Sequence, residues 1–248
     1  MGWRYRTGKL FQQLKEAALR RSLPGTRYFP AGRVYPYDIK RVFSSRDFSP
    51  GTIVDVGANI GQTCLYLRKW FPAAHIFSLE PVHATFERLV VNTRRFPNIR
   101  CRNIALGETA GTRTMHLMCN SELNTLMQES ALKGDVSGEC EQIRLATLDE
   151  FCVSEGIGRI DLLKMDAQGY ELNILEGAGK TLDKVEFLLT EVGLQDTRAD
   201  EIPFGRMQDY LRRHDFLFCG LYEQFRYGDS KILVGFANAL YVNRGVIG

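Results

Sequence analysis

Four carboxylates stand at or near the ends of short apolar runs: Asp55 in TIVDVG, Glu80 after IFSL, Asp166 after IDLLKM and Glu191 after VEFLLT. The first lies in IVDVGANIGQT, where an apolar run enters Gly57 and Gly61 and then a helical pattern. Small residues there permit a tight turn and close approach of a ligand to the backbone, which is the chemistry of a nucleotide-type site. A dinucleotide fingerprint wants glycine at the third and sixth positions counted from Gly57, but Asn59 and Gln62 stand there. Asp55 adds negative charge where a pyrophosphate gains nothing from it, so a cationic cofactor suits the motif better. Glu80 follows Gly61 by 19 residues and precedes Pro81, which stops the strand. A carboxylate at that place can accept both hydroxyls of a ribose. Singly, Asp55 and Glu80 read equally well as satisfied strand-end acids; their combined spacing favours a cofactor.

Ligands of open α/β sheets sit at the carboxyl ends of the strands, so the four acids should converge on one crevice. Four acids in one place call for cations. A sulfonium cofactor supplies one, and Asp166 with Glu191 on neighbouring strands could hold Mg²⁺ through oxygen, although two carboxylates alone are thin support for a metal.

The elements that must position these acids alternate. TIVDVG, IFSLE and IRCRNIAL read as strands, with helical patterns in TCLYLRKWF and HATFERLVVNTRRF between them. TRTMHLM reads as an extra strand, and residues 120–141, polar and weakly periodic, read as a loop or lid. QIRLATL, a helix opened by the capping-box pattern at Thr147 to Glu150, and the strand IDLLKMD restore the rhythm. GYELNILEGA gives a short helix, VEFLLTEV a buried strand and PFGRMQDYLRRH a helix with proline in its first turn. The ending differs: DFLFCGLY and GFANALYVNR have no helix between them and should pair antiparallel.

At 248 residues, 44% apolar and 25% charged, the chain suits one large folded domain and excludes disordered and fibrous classes. Its longest uncharged stretches, Val56 to Leu67 and Ile232 to Asn243, are 12 residues each, too short to span a membrane. Six cysteines without a C-x-x-C pair read as reduced thiols, and a start broken by Lys and Arg lacks a secretory pattern, so a cytoplasmic location is expected. Net charge is +3, yet Met1 to Arg46 carries +9 and the remainder −6. That asymmetry fits either a solvated helical face, with Leu10, Phe11, Leu14, Ala17 and Ala18 at helical spacing, or peripheral contact with an anionic surface. No nucleic-acid motif accompanies the charge, and none is expected as a partner. The expected organisation is a basic helical extension over 1–50 and a catalytic domain over 51–248.

VDVGANIGQT, SLEP, NIALGE, TLDEF and above all IDLLKMDAQGYELNILEGA, in this order, resemble the FkbM-type family of class I S-adenosylmethionine-dependent methyltransferases, across roughly Thr52 to Arg244. The resemblance implies a Rossmann-like α/β fold: seven mostly parallel strands in the order 3-2-1-4-5-7-6, the last antiparallel, with helices on both faces. It implies that Asp55, Gly57, Asn59 and Gly61 wrap the methionine part of S-adenosylmethionine, that Glu80 binds its ribose, and that Asn103 and Ala105 lie by its adenine. Asp166 would sit near the methyl group and the substrate. The family usually has Asp-x-Glu-Gly where this chain has Asp166, Ala167, Gln168 and Gly169. Gln168 hydrogen-bonds but cannot carry charge or act as a base.

Methyl transfer to a hydroxyl is an in-line displacement governed by placement, with a positioned base removing the proton. Asp166 is the expected base. His116, beside the lid, is a weaker candidate, and Tyr170 and Glu171 either face the acceptor or brace the helix they open. The resemblance implies a small-molecule or carbohydrate acceptor, a hydroxyl of a sugar, glycolipid or secondary metabolite. Two other classes compete: an NAD-dependent oxidoreductase and a non-catalytic scaffold on the same fold.

Overall fold

The computed structural model describes residues 32–45, 49–118, 126, 136–195, 201–228 and 230–247. The chain divides into two compact units, Met1–Ser49 and Pro50–Gly248. In the first, the amphipathic pattern around Leu10 to Ala18 lies outside the described residues. There the structure adds a helix, α1 (Tyr35–Ser45), whose Tyr35, Ile39 and Phe43 recur at helical spacing and are buried. Pro36 and Asp38 in its first turn suit a helix start, and Asp38 accepts a hydrogen bond from the Gly32 amide at 2.8 Å.

The second unit keeps the βα rhythm: β1 (Thr52–Val56), α2 (Gln62–Trp70), β2 (His75–Leu79), α3 (His83–Thr93) and β3 (Ile99–Arg102). Later come β7 (Ile160–Met165), α5 (Glu171–Glu176), β8 (Val185–Gly193), α6 (Phe204–Arg213), β9 (Phe216–Tyr227), β10 (Leu233–Asn243) and α7 (Arg244–Ile247). Seven strands form one sheet, β3-β2-β1-β7-β8-β10-β9. Counted within the sheet, that is the 3-2-1-4-5-7-6 order the resemblance implies. The pairs joining β3, β2, β1, β7 and β8 are parallel, and β10 runs antiparallel to both of its neighbours. Every residue of β7 is buried, as is every residue of β8 except Glu191, so the sheet is covered on both faces. The sheet order reverses at β1 and β7, and the crevice beyond their carboxyl ends is where a ligand belongs.

A second, three-stranded sheet, β4-β6-β5, stands apart from this frame. It uses β4 (Ala105–Leu106), β5 (Gly111–Met118) and β6 (Val136–Ala146). The run IRCRNIAL is therefore not one strand: it breaks at Asn103, whose side-chain amide donates to the carbonyls of Glu80 and Pro81 at 2.9 and 2.7 Å. The expected loop over 120–141 is also corrected. From Val136 onward it is strand, because pairing with β5, as in His116 opposite Cys140, satisfies a backbone whose side chains need not be apolar on an exposed face. Apart from Leu126, residues 119–135 lie outside the described set.

α4 (Leu148–Glu155) carries the capping box read from sequence: the Thr147 hydroxyl accepts from the Glu150 amide at 3.1 Å and the Glu150 carboxylate from the Thr147 amide at 3.0 Å. Gly177, after α5, packs against the chain beyond β4; a Cβ there would overlap the Gly107 carbonyl oxygen. Gly177→Ala should therefore destabilise the domain by roughly 1–3 kcal/mol, read as a lowered urea midpoint at unchanged slope.

Candidate active site

A cavity of about 410 Å³ opens at the carboxyl ends of β1, β7 and β8. That volume lies in the range of small-ligand sites. Its floor is the turn after β1, where Gly57, Asn59 and Gly61 take φ of 74°, 47° and 97°. The amides of Gly57 and Ala58 both donate to the Leu79 carbonyl, at 3.1 and 2.9 Å, which ties the turn to the end of β2. Gly57 cannot be replaced by a larger residue, since its Cβ would overlap the Asp166 carbonyl oxygen.

Glu80 lines the cavity and is 6% exposed. Its two carboxylate oxygens accept from the amides of Val82 and Asn59, each at 3.0 Å, so acid and glycine turn hold one another in place. Burial pushes the carboxyl up to about 7, against the pull of those two amides. Ala105 lines the opposite side with Ile104 and Leu106, an apolar wall. Asp166, with its side chain 35% exposed, completes the lining at the end of β7. Its amide donates to the Val56 carbonyl at 3.1 Å and its Oδ1 accepts from the Gln168 side-chain amide at 2.9 Å.

Gly57, Asn59, Glu80, Ala105 and Asp166 are thus brought to one cavity, and three other residues marked by the sequence are not on its surface. Asp55 is fully buried beneath the turn, and neither of its oxygens accepts a well-formed hydrogen bond among the described residues. Burial raises its carboxyl to about 6, with Lys164 pulling it back down. Gly61 faces inward, toward Leu89, Cys64 and Thr93. Asn103 spends its amide on the two carbonyls that shape the turn after Glu80.

Three further expectations sort themselves by geometry. His116 follows Met115, which lines the cavity, and turns instead to Cys140, with Nδ1 3.5 Å from its sulfur. Tyr170 lines the cavity, but its hydroxyl donates to Glu108 at 2.8 Å. Glu171, 2% exposed, accepts from the Ala167 amide at 2.7 Å and so braces the Asp166–Gly169 turn. The residue that sequence reasoning missed is Lys164. It is 4% exposed, lines the cavity, and lies 3.3 Å from Asp166 and 3.6 Å from Asp55. Its signal was a lysine inside a mostly apolar strand, two positions before an acid and hence on the same face. The described cysteines are all free. None of the described helices is long and apolar enough to cross a membrane.

The model of the methyltransferase FkbM domain matches residues 55–218. The chain belongs to that family. Its relatives include the 2-O-methyltransferase NoeI of Sinorhizobium fredii, 25% identical over 64% of this chain and 70% of that protein. Methyltransferase sdnD of Sordaria araneosa is 31% identical over 50% and 59%, and the hexuronic acid methyltransferase AglP of Haloferax volcanii is 26% identical over 62% and 61%. The chain thus spans about three fifths of the length of the latter two. Family and fold make S-adenosylmethionine the cofactor and displace the NAD-dependent reading. The residues present fit it: a nine-tenths-buried carboxylate on the wall, an apolar wall for a flat base, a glycine turn closing the floor, and net acidity for a cation.

Glu171 carries the clearest titration consequence. Burial lifts its carboxyl from the ordinary range to about 7, so the stability it contributes is full below about pH 4 and is lost as pH rises through 7. The stability difference between Glu171→Gln and the unmodified chain should move in favour of the variant from pH 5 to 8, by on the order of 2 kcal/mol in urea melts.

Proposed function

We propose that this chain catalyses S-adenosylmethionine-dependent O-methylation of a hydroxyl on a sugar, a glycolipid or a secondary metabolite. The observation that carries the reading is the single cavity shared by Gly57, Asn59, Glu80 and Asp166 in a chain of this family. The names of two relatives, a 2-O-methyltransferase and a hexuronic acid methyltransferase, support a hydroxyl acceptor on a carbohydrate.

When bound, S-adenosylmethionine supplies an electrophilic methyl group on a sulfonium centre. Glu80 would accept hydrogen bonds from the ribose hydroxyls, Gly57 and Asn59 would border the methionine part, and Ala105 would flank the adenine. Asp55, Gly61 and Asn103 act from beneath, holding the floor and the turn after β2. Asp166 faces the acceptor and takes the proton that its hydroxyl loses. Gln168, which has no charge to give, orients that carboxylate. Displacement needs donor and acceptor held close and in line, and a walled cavity on rigid strand ends provides it. Residues 120–141, which include the chain linking β5 to β6, would govern acceptor choice, since connecting segments carry specificity. We place the enzyme in the cytoplasm, its +9 segment suited to peripheral contact with an anionic surface.

Calorimetric titration with S-adenosylhomocysteine tests this reading. The chain should bind with micromolar affinity and give no heat with NAD. Glu80→Ala should weaken binding roughly 10–100-fold, the worth of hydrogen bonds to a charged group. Affinity should also fall as pH drops from 8 to 6, because Glu80 must be ionised to accept two hydroxyls and its carboxyl titrates at about 7. Absence of binding to the unmodified chain would overturn the reading in favour of a non-catalytic scaffold.

A further inference from the structure

Three acids meet on one face of the sheet where its order reverses. Asp55 on β1 and Lys164 on β7 are register partners, Asp166 follows Lys164 by two residues, and Glu191 lies two beyond Leu189, the partner of Lys164 on β8. Alternation along strands puts all of these side chains on the same side. The residue paired with Glu191 on β10 is the neutral Asn238, so no second cation comes from that neighbour. Like charges gathered here raise one another's cost, most of all at the fully buried Asp55, and a site of this kind carries either protons or a cation. In oxygen-rich sites the cation is commonly a divalent metal.

Here the place is taken by the chain itself. The Lys164 ammonium sits 3.3 Å from Asp166 Oδ2 and 3.6 Å from Asp55 Oδ1, on a stem that leaves its side chain 6% exposed. Burial works against its charge, but Asp166, Asp55 and then Glu191 outweigh burial and hold it protonated, above the ordinary lysine range. Asp166 is thereby held at both oxygens, Oδ2 by Lys164 and Oδ1 by Gln168.

We propose that Lys164 is a positioning residue of the transfer site: a built-in cation that stands between Asp55, Asp166 and Glu191 in place of a divalent ion and fixes the Asp166 carboxylate toward the acceptor. This rests on the reading of Asp166 as the acceptor-facing acid. A compact ammonium with three donors can satisfy two carboxylates at once without leaving the strand.

Thermal melts of the full chain, Lys164→Ala, Lys164→Met and Lys164→Arg, with and without magnesium or calcium chloride at pH 6 and pH 8, test it. The unmodified chain should be indifferent to either ion. Lys164→Ala leaves a hole lined by carboxylates, so its melting temperature should fall and then recover in part when the ion is added. Lys164→Met keeps the volume without the charge, and its deficit should be larger at pH 8 than at pH 6, because Asp55 can take up a proton at the lower pH. Lys164→Arg should restore most of the loss. A Lys164→Met deficit that is equal at both pH values, or an unmodified chain stabilised by magnesium, would overturn the proposal. If neither neutral variant folds, the magnesium response of the unmodified chain decides: a rise overturns the proposal and indifference supports it. S-adenosylhomocysteine titration of the same unmodified preparation separates the two readings, since lost cofactor binding removes methyl transfer and leaves the ion and pH outcomes standing.

Discussion

Gly57 lies so close to the carbonyl of Asp166 that only a hydrogen atom fits between them, and the rest of the site depends on that approach. β1 and β7 are adjacent parallel strands, and the turns that leave them would diverge if a side chain separated them. Because nothing does, the turn that floors the cavity and the turn that carries Asp166 share one wall. A second tie, the Asp166 amide to the Val56 carbonyl at 3.1 Å, extends the sheet's pairing into the turn region. Asn59 then reaches Glu80 through its backbone amide, so three strand ends are locked by one glycine and a few hydrogen bonds.

That compactness has an electrostatic cost. Asp55, Glu80 and Glu171 are nearly or fully buried, and burial lifts their carboxyls to about 6, 7 and 7. Burial works against the charged form of all three, at Asp55 offset in part by Lys164. A cationic ligand in the cavity would favour the ionised form of Glu80, which lines it, so cofactor affinity and proton release are linked through that group. The acids that looked individually unremarkable in the sequence therefore matter as a set, tuned by how little water reaches them.

The fold was legible because its signal is repetitive: apolar runs alternating with helical patterns, then two runs with no helix between them, name a mostly parallel sheet with an antiparallel end. The small sheet was harder to read. β4 has two residues, and β6 begins in a polar stretch whose apolar alternation starts only at Ile143 and Leu145. α1 does carry helical spacing, at Tyr35, Ile39 and Phe43, but over only 11 residues that follow a proline- and glycine-rich run. Within the site, types and spacing identified the acids at the strand ends. They could not tell a residue that touches the cavity, such as Glu80, from one that supports it from below, such as Asp55, because one strand position separates the exposed side of a turn from its buried side. Lys164 shows the other limit. A lysine in a mostly apolar strand is conspicuous, but its meaning depends on which acids the neighbouring strands bring opposite it.

Gln168 is where sequence and geometry explain each other. Its backbone sits at φ 50°, in the left-handed region, and the side chain donates to Asp166 at 2.9 Å. The glutamate usual in the family would set a second negative charge beside Asp166, with Lys164 already committed to Asp55 and Asp166 from the other side. An amide removes that repulsion and supplies a donor where a carboxylate could only accept. The consequence is a division of labour. Gln168 and Lys164 fix the two oxygens of Asp166, and the cavity this carboxylate lines is where our proposal puts the acceptor hydroxyl. In the proposed transfer, orientation of the Asp166 carboxylate is then what this turn contributes.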